Sequence, residues 1–294
     1  MDASLDPVQL PLGGQKRSLS WRIFGGKADP VLIVSALVLL LFLAWGVAPA
    51  LFATHDPNKI GVDLLQPPSR SYWFGTDEYG RDIYSRVVYG ARIEFVISGI
   101  GVLIAMAIGI PVGLIAGYRG GWVDSVLMRL QDALLAFPSV LFAILIVAAR
   151  GASQQSIILT VGIIFIPRFA RLVRASVLAL KEEDFVTASR AIGATGSRLL
   201  WRHILPNALP AILVQVTLTM AVAVLVEAGL SYLGLGVQPP TATWGTMLKN
   251  AQSYPQQAPW YVLAPGICIF LLVLSLNTFG DGLRDRLDPR VRRL

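Results

Sequence analysis

Six runs of about 20 apolar residues set what this chain can become, because the interior of a bilayer accepts an open-ended segment only as a helix, whose backbone groups satisfy one another. They lie at approximately 31–52 ("VLIVSALVLLLFLAWGVAPALF"), 93–118, 130–149, 156–176, 209–231 and 260–280. The balance of residues agrees. Of 294 residues 54% are hydrophobic and 15% charged, and the mean hydropathy of +0.62 is too high for a soluble domain of this length. The expected fold class is an all-α polytopic membrane protein with six transmembrane helices.

A net charge of +7 would suggest nucleic acid in a soluble chain, but in a membrane protein Lys and Arg report topology first. With the N-terminus inside, the inner segments (the N-terminal arm, 119–129, 168–207 and 281–294) hold 18 of the 25 Lys and Arg residues. Both termini are therefore expected in the cytoplasm, and no nucleic-acid partner is expected. Arg168, Arg171 and Arg174 crowd the inner end of the fourth run, where they can reach the interface. Lys16, Arg17, Arg22 and Lys27 before the first run, with "APA" at 48–50, resemble a signal peptide. The run exceeds a signal core of about 7–15 residues, so an anchor is expected. This divides the chain into a cytoplasmic arm (1–29), a first helix with an external loop (30–92), a five-helix core (93–280) and a basic cytoplasmic tail (281–294).

Several chemistries drop out. One Cys and two distant His residues, His55 and His203, offer no metal site. "GGQKRS" at 13–18 lacks the spacing of a phosphate-binding loop, and "GLGV" at 234–237 is a glycine turn at a span end, so no nucleotide or other cofactor is expected on this chain. H-E-x-x-H and G-x-S-x-G are absent, which weighs against an intramembrane hydrolase.

Within the runs, Gly101, Ala105, Gly109, Gly113 and Gly117 recur every four residues and leave one helix face without bulk. Another helix can approach there, within the chain or across a subunit interface. Pro111, Pro138, Pro167 and Pro265 lie in or near spans and are expected to bend them. Glu227 is an acid inside "AVAVLVEAGLSYLGLG", where an isolated carboxylate is costly. It is expected to bond a neighbouring helix or to serve a pathway or gate. An ion-coupled transporter using Glu227 is a second reading.

The segment "FVTASRAIGATGSRLLWRHILPNALP" (185–210) is polar chain between two apolar runs. Asp184 is expected to cap a helix presenting Phe185, Ala188, Ser189 and Ile192, with Gly193 ending it in a left-handed conformation. Ser197 is expected to cap a second short helix that stops before Pro206. Such a hairpin (182–206) looks like a docking surface for a soluble partner, which an ion-coupled transporter does not need.

Here the sequence resembles the inner-membrane permease subunits of ATP-binding cassette importers. Their loop signature, Glu-Ala-Ala, three residues, Gly, nine residues, Ile-x-Leu-Pro, is matched in spacing by Thr187-Ala188-Ser189, Gly193 and His203-Ile204-Leu205-Pro206; Thr187, Ser189 and His203 depart in identity. "FGTDEYGRD" (74–82), "YGARIEF" (89–95), "AGYRGGWVDSVLMRLQDALLAFPS" (116–139), "RAIGATGSRLLWRHILPNALP" (190–210) and "EAGLSYLGLGVQPPTATWG" (227–245) narrow the resemblance to the dipeptide, oligopeptide and nickel branch, and to the second of its two unlike permeases. The resemblance implies a type I importer (MetI-like) core in a bacterial inner membrane. It pairs with a homologous permease and couples to two ATPase subunits, which bind the ATP and Mg, through Thr187, Ala188, Ser189, Gly193, Leu199, Leu205 and Pro206. An external solute-binding protein meets residues 53–92, which carry Gly75, Thr76, Asp77, Gly80, Arg81 and Asp82, and residues 232–258. Glu227, Ser231, Gly234 and Gly236 are the expected path or gate residues. The cargo expected is a di- or oligopeptide, with nickel or another small solute as the alternative.

Overall fold

The computed structural model describes residues 30–287; the N-terminal arm, its four basic residues and "GGQKRS" lie outside them, as do residues 288–294 of the basic tail. In chain order the helices are α1 (Pro30–Val47), α2 (Pro49–Phe52), α3 (Ile83–Arg119), α4 (Gly121–Ala136), α5 (Ser139–Arg150), α6 (Gln154–Leu180), α7 (Asp184–Ala191), α8 (Gly196–Leu199), α9 (Leu205–Tyr232), α10 (Trp244–Ala251) and α11 (Pro259–Leu287), with a π-turn at Leu200–Ile204 before α9. Among the described residues no strand forms beyond an isolated antiparallel bridge between Thr76 and Asp82.

Five helical stretches are long and apolar enough to cross a membrane, or six if the bent pair α4 and α5 counts as one. The third expected span, 130–149, is thus not a straight helix. Phe137 and Pro138 adopt extended angles, and α4 and α5 meet at 85°, because the residue before proline is pushed out of the helical region. Pro49 breaks the first run in the same way, after Val47. Pro111, Pro167 and Pro265 instead lie inside continuous helices.

The largest correction concerns α3. Its run is expected to begin at 93, after the external loop, yet the helix begins at Ile83 and continues for 37 residues. Asp82 caps it by accepting from Ser85 N at 3.0 Å. The first two turns, including Tyr84 and Arg86, are buried on every side by the preceding loop and by α10 and α11; apolar periodicity fails where a helix has no solvent face.

The glycine stripe of α3 lies against α6 within the chain, which leaves that face closed to another subunit. A Cβ on Gly109 would stand 2.7 Å from Ile166 O, and one on Gly113 2.5 Å from Ala170 O and 2.8 Å from Val173 Cβ. A Cβ on Gly117 would stand 2.7 Å from Val177 Cβ, and one on Gly101 would overlap Val161. Ala105 is fully buried in the same row. Arg171 and Arg174 do not simply snorkel: Arg171 bonds Asp132 at 2.6 Å, and Arg174 grips both oxygens of Asp124 at 2.5 Å, tying α6 to α4.

Three apolar clusters stack along the bundle. One joins α1, α3, α9, α10 and α11 around Phe42, Trp244 and Tyr261 at the loop end; a middle one lies around Phe165 and Phe169. The last surrounds Leu114, Val173 and Val177 at the hairpin end. Gly113→Ala should destabilise the protein by about 1–3 kcal/mol despite the better helix propensity of alanine, because the obstructing atom is backbone. Gly99→Ala, with nothing within 4 Å of the added carbon, should hold or raise the melting temperature. Thermal unfolding of the two purified variants tests this pair, and equal melting temperatures contradict it.

Candidate functional site

The hairpin end is built from residues 182–206. α7 starts one residue earlier than expected: Glu183 occupies the cap position without a side-chain bond, and Asp184 lies in the first turn, where its charge suits the helix dipole. Gly193 takes φ +87°, Gly193 N donates to Arg190 O at 2.9 Å and Ala194 N to Ser189 O at 3.0 Å. These two bonds make a Schellman close, which a left-handed glycine permits. Thr195, not Ser197, caps α8 by accepting from Arg198 N. The second helix does not stop before Pro206. A π-turn bonds Leu205 N to Leu200 O, and the chain runs straight into α9 with Pro206 in its first turn; there a missing N–H costs little.

The two faces of this hairpin differ. Val186, Leu199 and Ile204 are buried against Leu114, Val173 and Val177, so Leu199 anchors the hairpin to the bundle instead of facing outward. Leu205 and Ser189 are half-buried, while Thr187, Ala188, Gly193 and Pro206 are exposed. Ile192 is 88%, Trp201 56% and Phe185 38% exposed. Tyr118 at the end of α3 supports the turn: a Cβ on Gly196 would stand 2.8 Å from its hydroxyl, and Arg190 stacks over its ring.

The opposite end of the bundle gathers the remaining sequence words into one place. In "GTDEYGRD", Gly75 and Gly80 take φ +74° and +72°, and Cβ atoms there would stand 2.7 Å from Trp260 Nε1 and 2.6 Å from Gly61 O respectively. Thr76 Oγ1 donates to Asp63 O at 2.5 Å and accepts from Gln66 N. Asp77, fully buried, accepts from the backbone N–H of Tyr79 and Arg81 and pairs with Arg81 Nε at 2.6 Å. Arg86 Nη1 donates to Pro57 O. Asp82 accepts from Ser85 and Thr54. This loop is a folded, internally bonded cover, not a solvated one.

Trp244 ties that cover to the helices. It is fully buried, donates Nε1–H to Val87 O at 2.9 Å and lies on Gly90, where a Cβ would stand 2.7 Å from its ring. A Cβ on Gly245 would stand 2.7 Å from Ser231 Cβ, and one on Gly236 would overlap Ser231 Oγ. Beneath lies an acid pair. Glu227 is fully buried and receives Ser231 Oγ–H at 2.6 Å; across from it is Glu94 of α3, also fully buried and within bonding reach. Apart from each other, Glu94 and Glu227 Oε2 have no side-chain partner. Two carboxyl groups bond each other only when one supplies a proton as donor. Sequence reading missed Glu94 because the span seemed to begin beside it; its signal was an acid between apolar residues in "RIEF". Glu227, Ser231, Gly234 and Gly236 are thus brought together, with Glu94 as an added member.

Comparison with known proteins identifies the setting of this geometry. Residues 109–293 match the family described as binding-protein-dependent transport system inner membrane component. The chain belongs to that family. The permease is 44% identical to the dipeptide transport system permease protein of Alkalihalophilus pseudofirmus, over 90% of this chain and 88% of that one. It is 40% identical to the glutathione transport system permease protein of Pectobacterium atrosepticum, over 92% of each. A structure of the MetNI methionine ABC transporter in inward-facing conformations shares its fold, with a TM-score of 0.54, 18% identity and coverage of 67% of this chain and 96% of that one. The protein is an integral inner-membrane permease of an ABC importer, a transport component and not an enzyme.

Glu94→Gln should leave the melting temperature near that of the unaltered permease, since an amide supplies the missing donor. Glu94→Ala should lower stability by about 1–3 kcal/mol, because Glu227 Oε2 then faces nothing polar. Thermal unfolding of both variants checks this, and equal loss in the two would refute the bonded pair.

Proposed function

We propose that this permease forms half of the translocation path of an ATP-driven importer of di- or oligopeptides. The observation that carries the reading is the hairpin. A closed helical turn sits between two spans, rooted by Val186, Leu199 and Ile204 and presenting Ile192, Trp201 and Phe185 outward. Large apolar side chains exposed on a short polar connection favour a soluble partner. In this reading an ATPase subunit takes the face formed by Thr187, Ala188, Ser189, Gly193 and Pro206, while Leu199 and Leu205 hold its far side.

The remaining parts follow from that docking. ATP and Mg belong to the two ATPase subunits, and a homologous second permease completes the path. The excess of Lys and Arg puts the hairpin and both termini in the cytoplasm, so the "GTDEYGRD" cover and α10 face outward, where a solute-binding protein delivers cargo. Glu227, Ser231, Gly234 and Gly236 then lie at the outer mouth. The peptide assignment is supported by the names of the dipeptide and glutathione permeases above, which cover nearly the whole chain.

Purification from membranes should recover two ATPase subunits and a second permease, and reconstituted vesicles should take up labelled dipeptide only with ATP. Uptake by this chain alone would sink the reading. Ile192→Asp, on a side chain that touches almost nothing, should leave the permease folded and lower ATPase co-purification about tenfold. Gly193→Pro should abolish uptake, since proline cannot adopt φ +87°, while the protein remains in the membrane. Wild-type uptake in both variants would place the docking surface elsewhere.

A further inference from the structure

At the loop end, a cavity of about 490 Å³ opens between the "EYGRD" turn, the end of α9, the 234–241 loop and α10. Its size falls in the range of small-molecule sites. The charged residues in its wall are Arg81, Arg86 and Lys249, all cations. Two acids lie behind them, Asp77 and Glu78, and both face Arg81, at 2.6 and 3.6 Å. Asp77 is fully buried and spends one oxygen on two backbone amides and the other on Arg81 Nε; Glu78 takes the amide of Asn250 at 2.9 Å.

With Arg81 paired to those acids, Arg86 and Lys249 are left underserved. Arg86 is 4% exposed, and its Nε stands 3.5 Å from Asp77 and makes no hydrogen bond. Lys249 pairs with no carboxylate among the described residues. Its ammonium lies over Gly234, where a Cβ would overlap it, so the glycine leaves that head group its place. The neutral wall suits an organic anion: Ile60, Val237 and Pro239 supply apolar surface, and Ser231, bonded to Glu227 below, closes one side.

We propose that this cavity is a carboxylate site, in which Arg81, Arg86 and Lys249 hold the free carboxylate of an incoming ligand. It rests on the importer reading for which face is external. Two sources have the same chemistry: the C-terminal carboxylate of a peptide cargo, and an acidic side chain of the docked solute-binding protein. A guanidinium and an ammonium converging on one carboxylate give charge-assisted bonds that an amide cannot match.

The test uses the assembled transporter in lipid nanodiscs with Gln238→Cys as a reporter at the rim. Labelling of that thiol by a neutral maleimide should slow about tenfold with dialanine and not with dialanine amide. Lys249→Glu, on an exposed side chain, should remove the protection. If dialanine does nothing but the unloaded solute-binding protein protects, and Lys249→Glu cancels it, the carboxylate comes from the binding protein. Equal protection by acid and amide, or protection that survives Lys249→Glu, or none from either source, overturns the site. The labelling needs neither ATP nor uptake. Failed uptake with intact protection counts against the importer reading alone, and ATP-driven uptake without protection counts against this site alone.

Discussion

The architecture depends on the close approach of α3 and α6. Without side chains at Gly101, Gly109, Gly113 and Gly117, backbone meets backbone along four turns, and in lipid such contact supplies the attraction that apolar bulk cannot, since lipid tails are as apolar as leucine. Everything else is hung on this pair. The hairpin packs on Leu114 and Tyr118 of α3 and on Val173 and Val177 of α6. The folded cover and Trp244 sit on the other end of α3. A single packed unit therefore has the candidate docking turn at one end and the acid pair at the other.

Most polar groups described above follow one pattern: they are bonded within their own end of the molecule or paired across helices. Asp77, Asp82 and Thr76 satisfy backbone donors and acceptors of the cover that would otherwise be buried unmade, which is the costly case. Asp124 and Asp132 meet Arg174 and Arg171 near the hairpin end. The middle of the bundle is left to apolar packing around Phe165 and Phe169. Glu94 and Glu227 break that pattern, as carboxyl groups facing each other with few donors. Their side chains connect α3 to α9, so any motion that parts these helices must first separate the two acids.

Much of this was legible in the sequence. Apolar length located five of the six expected spans, and the spacing of glycines marked the α3 face before its partner was known. Gly193 announced a left-handed close, because a helix that ends between polar residues with glycine leaves few other options. The misses have physical causes. The start of α3 was hidden because a helix buried on all sides has no polar face to give a period, and Glu94 because the apolar run begins beside it. Pro138, expected to bend a span, breaks it instead, since length alone cannot tell whether a neighbour re-satisfies the freed backbone groups. The caps went to Glu183 and Thr195, not Asp184 and Ser197, a slip of one or two residues that sequence pattern does not resolve.

Pro206 has the largest consequence for the proposed mechanism. A proline ending the second hairpin helix would have placed a flexible joint between hairpin and span. Instead the π-turn at Leu200–Ile204 absorbs the missing donor, and α9 leaves it as one helix of 28 residues, about 42 Å long. Its first turns pack in the hairpin cluster through Ala208 and Ile212, and its last carries Glu227 and Ser231. Between hairpin and span lie the π-turn, the kind of irregularity found at functional sites, and Pro210, which removes a further helix donor. If an ATPase docks on the hairpin as proposed, force on it would enter α9 through that turn, and the far end of the same helix carries the contact with Glu94.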